Sequence, residues 1–263
     1  MATISAIVLV LLGFTVNGQV STHATTLSEA SVVRRYFEQA MIYPESALKK
    51  GIRGKVTVSL DVMPDGETRN YKIERGTDPM IEAEALRLAM HLLWKPAIVA
   101  GNPVPTRETI TIDFNPKTYL RKKKDNKNYS EYATLNASAP EPIYNLRQLS
   151  ESPQPILPVG FKSVNSYIIH LMKYPEMAAR NSISGTVVLD FVIEKSGIAS
   201  NIRIRQSVGG GCDQEAIRIL EQLRWLPAKK AGEPARTHAD LEISFRLTEH
   251  QQRSIPNQRS TGL

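Results

Sequence analysis

The sequence predicts an α+β protein made of two tandem α-β-β-α-β units, each a three-stranded antiparallel sheet in the order 2-1-3 with helices on one face. Two observations predict it. The chain of 263 residues matches itself without a gap at a shift of 131, the mark of one structural unit used twice. Each copy also carries one stretch of period-two alternation between two stretches of helical periodicity. The shift brings Tyr43-Pro44-Glu45 onto Tyr174-Pro175-Glu176, Gly54 onto Gly185, Gly66 onto Gly197 and Glu84-Ala85 onto Glu215-Ala216. It also superposes Trp94-x-Pro96-Ala97 on Trp225-x-Pro227-Ala228, Gly101-x-Pro103 on Gly232-x-Pro234, and Phe114 on Phe245.

Taken in order, each copy opens with a helix. Ser28 is placed to cap one carrying Val32, Val33, Tyr36, Phe37 and Ala40 on one side, with Pro44 ending it. The second copy offers Val164, Tyr167, Ile168 and Leu171 before Pro175. A strand follows with Val56, Val58, Leu60 and Val62 inward, or Val187, Leu189, Phe191 and Ile193. Pro64-Asp65-Gly66 and Ser196-Gly197 turn the chain into a second strand. Helices expected from Asp78-Pro79 to Leu93 and from Asp213 to Arg224 present broad apolar faces to the sheet, and Pro96 and Pro227 stop them. The last strand carries Ile110, Ile112 and Phe114, or Leu241, Ile243, Phe245 and Leu247. A right-handed return places it beside the first strand, which leaves the second and third as edges.

The expected domains are 19–116 and 159–248, joined by a spacer over 117–158 and followed by a loose tail at 249–263. The spacer holds Arg121-Lys122-Lys123-Lys124, Lys127, Pro140, Pro142, Pro153, Pro155 and Pro158, a composition for an extended linker. Its lysines account for part of the net charge of +7 and the pI near 9.4. At the N-terminus, Ile4 to Val16 has the length of a signal-peptide core, short of the ~20 residues of a membrane helix. Val16 and Gly18 predict cleavage before Gln19, making 1–18 a signal peptide and the mature chain periplasmic. Cys212 is the only cysteine, so no intramolecular disulfide forms.

Candidate chemistry is sparse. His23, His91, His170, His238 and His250 are scattered, recur in neither copy and show no metal-ligand spacing. No nucleophile motif is present. Gly209-Gly210-Gly211 precedes a helix, but lacks the Lys and Ser/Thr of a phosphate loop. Glu84 and Glu215 recur without a partner carboxylate, as expected of a solvated or salt-bridged face rather than an acid–base pair. Trp94 and Trp225 are expected as core anchors. No basic strip interleaved with aromatics marks either copy for nucleic acid. These residues predict no enzyme, no cofactor and no metal.

The ordered set of Tyr-Pro-x-x-Ala, a period-two strand, a glycine turn, Glu-Ala, Trp-x-Pro-Ala, Gly-x-Pro and a final β-Phe resembles the TonB C-terminal domain, over 43–114 and again over 174–245. Tyr43, Pro44, Gly54, Gly66, Trp94 and Pro96, with Tyr174, Pro175, Gly185, Gly197, Trp225 and Pro227, carry the likeness. The resemblance implies a periplasmic, non-enzymatic module that takes up an extended segment of an outer-membrane TonB-dependent receptor as an added strand. It implies TonB-system envelope proteins as further partners. It places docking on Glu108-Thr109-Ile110-Thr111-Ile112-Asp113-Phe114 and Asp240-Leu241-Glu242-Ile243-Ser244-Phe245-Arg246-Leu247. With 4–16 short of an anchor and no long Pro-rich span, the binding fold carries over rather than force transmission. The alternative is an envelope scaffold using the basic linker and β-edges.

Overall fold

The computed structural model describes residues 15–16, 19–125 and 140–247. The chain divides into two compact units, with the division at Ile143–Tyr144. Among the described residues no helix is long and apolar enough to cross a membrane. The predicted signal segment lies largely outside the described residues.

The first unit opens with three short strands, β1 (Thr15–Val16), β2 (Gln19–Val20) and β3 (Thr25–Thr26). Helix α1 (Ala30–Ala40) turns Val32, Val33, Tyr36, Phe37 and Ala40 into the core. Glu29, not Ser28, stands at its N-cap and makes no side-chain cap. Ser28 is instead buried, with its carbonyl accepting from Thr26 Oγ1. Pro44 does double duty: it follows α1 and also caps a one-turn helix, α2 (Glu45–Lys49). Strands β4 (Gly54–Val62) and β5 (Thr68–Arg75) form the hairpin, and α3 (Pro79–Met90) returns across the sheet. Asp78 caps α3 by accepting from Met80 N–H, with Pro at the first turn. Short strands β6 (Trp94–Lys95), β7 (Ala97–Val99) and β8 (Asn102–Val104) lead into β9 (Thr106–Phe114), then helix α4 (Pro116–Asp125). The sheet order is β5-β4-β9, all antiparallel.

The second unit repeats this plan. After β10 (Ile143–Tyr144) at the junction come β11 (Gln154–Ile156), α5 (Val164–Leu171), α6 (Glu176–Arg180), β12 (Gly185–Ile193) and β13 (Ala199–Gln206). Then follow α7 (Cys212–Leu220), β14 (Arg224–Leu226), β15 (Ala228–Lys230) and β16 (Glu233–Phe245). The helix expected to reach Arg224 stops at Leu220, because Arg224 is drawn into a strand pairing with Ile156. The sheet runs β10-β16-β12-β13 with β15 also pairing β16, so the expected three strands gain two.

The segment expected as an extended spacer, 117–158, contributes structure at both ends. Tyr119 of α4 is buried against Tyr43, with ring centroids 5.3 Å apart, and Lys122 reaches Glu38 at 2.9 Å. At the other end β11 pairs with β14, aligning Pro155 with Trp225, as β3 pairs with β6 to align Thr26 with Trp94. Bridges Thr22–Ile98 and Glu151–Lys229 extend both pairings. The repeat therefore continues upstream of the first helix at a shift of 129 instead of 131. A two-residue difference in the loop before the helix hides it from gapless comparison.

Both tryptophans sit at the rim rather than the centre. Trp94 is half-buried against the cluster of Ala24, Leu60, Val62 and Ala97, and Trp225 lies 5.9 Å from the Phe191 ring. Their carbonyls explain the paired glycines. A Cβ on Gly66 would stand 2.9 Å from the Trp94 carbonyl and one on Gly197 2.1 Å from that of Trp225, each at a positive φ.

Candidate partner-binding edge

The two edges of each sheet are built differently. β9 pairs with β4 through nine consecutive positions, from Val62–Thr106 to Gly54–Phe114, without a break. β16 pairs with β12 in the same unbroken way, from Ile193–Thr237 to Gly185–Phe245. The opposite edge is irregular. β5 and β13 each slip register twice against their neighbours, with Asn70 and Asn201 at φ near +50° inside the slips. Bulges twist a strand away from pairing and blunt an edge, whereas a regular edge accepts another strand. The third strand is thus regular in both copies, an outer edge in the first unit and flanked by β10 in the second.

The predicted edge residues fall on these strands. Glu108 to Phe114 lie on β9; Asp240 to Phe245 lie on β16, with Arg246 and Leu247 just past its end. Ile112 and Phe114, like Ile243 and Phe245, point into the core. Thr109, Thr111 and Asp113, and Asp240, Glu242 and Ser244, face outward. Each edge is fixed at its C-terminal end by an aromatic pair. Phe114 meets Tyr43 edge-on at 5.8 Å, and Phe245 meets Tyr174 at 6.0 Å. Those tyrosines donate their hydroxyls to the carbonyls of Ile52 and Ile183, closing the one-turn helices behind the strands. Burial, helped by the charge of Asp113, pushes the Tyr43 phenol up to about 12.

Behind the sheet a buried ion pair recurs. Arg87 forks onto Glu84 with two bonds of 2.7 Å and donates to the Ala40 carbonyl, while Ile42 N–H donates to the same carboxylate. Arg218, Glu215, Leu171 and Lys173 repeat this arrangement bond for bond. Glu84 is fully buried, so of the two expectations for this face the salt-bridged one holds and the solvated one does not. The clamp fastens the long helix to the loop after the first. A second buried pair, Arg236 forked onto Glu194, belongs to the second unit alone; Pro105 and Met63 occupy those places in the first.

The open sheet faces carry different charge. In the first unit Arg107 bonds Asp61, Ser59 and Glu74, and the Ser59 hydroxyl and Arg107 hold the Glu74 carboxyl below its usual range. In the second, Arg203 and Arg205 surround Asp190, and Arg205 occupies the place of Glu74. The copies share a scaffold but present different surfaces.

Among the described residues no group of three or more His, Cys, Asp or Glu could hold a metal. Cys212 is fully buried, and burial raises its thiol. His91 lies in the core, 3.2 Å from the Tyr36 hydroxyl; His250 is outside the described residues. Within Gly209-Gly210-Gly211, Gly210 is packed close, since a Cβ there would stand 3.1 Å from that of Ala178, while Gly209 has open space around it.

The model of the family described as Gram-negative bacterial TonB protein C-terminal matches residues 39–116 and 171–247. No curated protein matches the chain. An NMR solution structure of the Helicobacter pylori TonB C-terminal domain is similar at 21% identity, over 32% of this chain and 78% of that one, with a TM-score of 0.26. Membership rests on the sequence match, which spans more than half of the 263 residues, and the chain belongs to the family of Gram-negative bacterial TonB C-terminal domains, which it carries twice.

Proposed function

We propose that this protein is an exported, periplasmic, non-enzymatic binder that docks extended segments of outer-membrane TonB-dependent transporters by strand addition, in or alongside TonB-type transport. The observation that carries this reading is the contrast between edges: nine unbroken pairs at the third strand, two register slips at the second, in both copies. A regular edge supplies affinity through backbone hydrogen bonds and selection through alternate side chains.

Cross-linking in the envelope tests it. Same-face neighbours on adjacent strands stand about 4.5–5.5 Å apart at Cβ, close to what a disulfide needs. Single cysteines at Arg107, Thr109, Thr111 or Asp113 should form disulfides with cysteines placed along a transporter's periplasmic N-terminal segment, with reactive transporter positions spaced by two. Cys212 is too buried to compete. Efficient cross-links from Lys72 or Glu74 on β5, with none from β9, would refute docking at this edge.

A further inference from the structure

The two third-strand edges are not in the same state. In the second unit β10 lies on the outer side of β16. Thr237 Oγ1 donates to the Tyr144 carbonyl at 2.8 Å, and Lys230 Nζ sits 3.9 Å from the centroid of the Tyr144 ring. The shift of 131 brings Thr237 onto Thr106 and Lys230 onto Val99. The equivalence is structural too, because Thr106 faces Val62 and Thr237 faces Ile193, each the last residue of the first strand. In the first unit β9 has β4 as its one strand neighbour among the described residues. There Thr106 Oγ1 is buried with no hydrogen-bond partner, and Val99 is 47% exposed. A buried hydroxyl without an acceptor is costly, and a docked carbonyl removes that cost.

We infer that the second unit displays, with its own chain, the complex that the first unit makes with a partner. An extended peptide segment lies beside Thr106, its backbone carbonyl accepting from Thr106 Oγ1. Where Tyr144 sits under Lys230 in the second unit, the guest presents an apolar side chain to Val99. The edge at Thr237 is held by Ile143–Tyr144, so a guest takes the first unit and reaches the second only by displacing that strand. The inference rests on the strand-addition reading and narrows it from two edges to one.

A fluorescein-labelled decapeptide copying residues 139–148, added to the full chain, tests this. Anisotropy measures affinity and amide hydrogen exchange locates the peptide. One peptide should bind, protecting 104–112 and leaving 235–245 unchanged. Thr106→Val should weaken binding about five-fold, the worth of one neutral hydrogen bond, with the thermal midpoint unchanged or raised. Ile143→Gly combined with Tyr144→Gly should admit a second peptide that protects 235–245. New protection at 235–245 in the unaltered chain would overturn the inference and leave strand addition standing. Silence at both edges, even in the double-glycine chain, would overturn both. Unchanged affinity in Thr106→Val would remove the hydroxyl from recognition and with it the inference. A concentration-dependent dimer protected at 104–112 without peptide would make the occupant a second copy and overturn it as well.

Discussion

Replacing Arg87 by alanine should destabilise the first unit by about 3–5 kcal/mol, a large part of a small domain's stability. The Glu84 carboxylate is fully buried, and without Arg87 it keeps the Ile42 N–H as a donor but no cation in its fork. The Ala40 carbonyl loses its donor as well. Arg218→Ala in the second unit should cost less, because the Arg218 side chain is 37% exposed where that of Arg87 is 6% and water can take over part of its role. Denaturant unfolding followed by tryptophan fluorescence measures both; equal losses would contradict the account. Burial already pushes the Glu84 carboxyl up, and removing Arg87 pushes it further. Its folded pKa then lies above the unfolded value of about 4.3. The variant's deficit should therefore shrink as pH falls through the folded pKa and the carboxyl takes up a proton. Replacing both partners together by methionine should recover much of the loss.

Phe114→Ala and Phe245→Ala should each cost about 3–5 kcal/mol. Both rings are almost wholly buried, at 1% and 0% exposure, and each substitution removes an aromatic partner of Tyr43 or Tyr174. The damage should extend to binding, since these residues end the strands proposed to receive a guest. Thermal denaturation and amide exchange over 110–114 or 241–245 measure the effect. A loss below about 1 kcal/mol would show a site able to collapse around the gap.

The repeat, the α-β-β-α-β order and the 2-1-3 arrangement were legible in the sequence because they rest on periodicity and on recurring glycines and prolines; the expected pair of edges holds in the first unit, whereas β10 covers the third strand of the second. The strands β3 and β11 were not. They pair through backbone, so Thr25-Thr26 and Gln154-Pro155 need share no side-chain pattern, and the change of shift from 131 to 129 hid their common origin. The prolines at 153, 155 and 158 suggested a linker, yet an edge strand tolerates proline. Read alone, Glu84 and Glu215 fitted a solvated face as well as a salt-bridged one. The signal lay in their pairing, since an arginine follows three residues later in both copies, the spacing of helical neighbours. Two-residue β10 left no signal at all. The regularity of the third-strand edge and the bulges of the second also needed the structure, because register depends on which residues face each other and not on composition.

The central claim is that an extended partner segment adds to the regular edge. An NMR titration of the full chain with a synthetic peptide copying a transporter's periplasmic N-terminal segment tests it most directly. Amide shifts concentrated in 106–114, with smaller changes in the facing residues 54–62, are the predicted result. Shifts centred on the bulged edges at 68–75 or 199–206, or none at millimolar peptide, would contradict it.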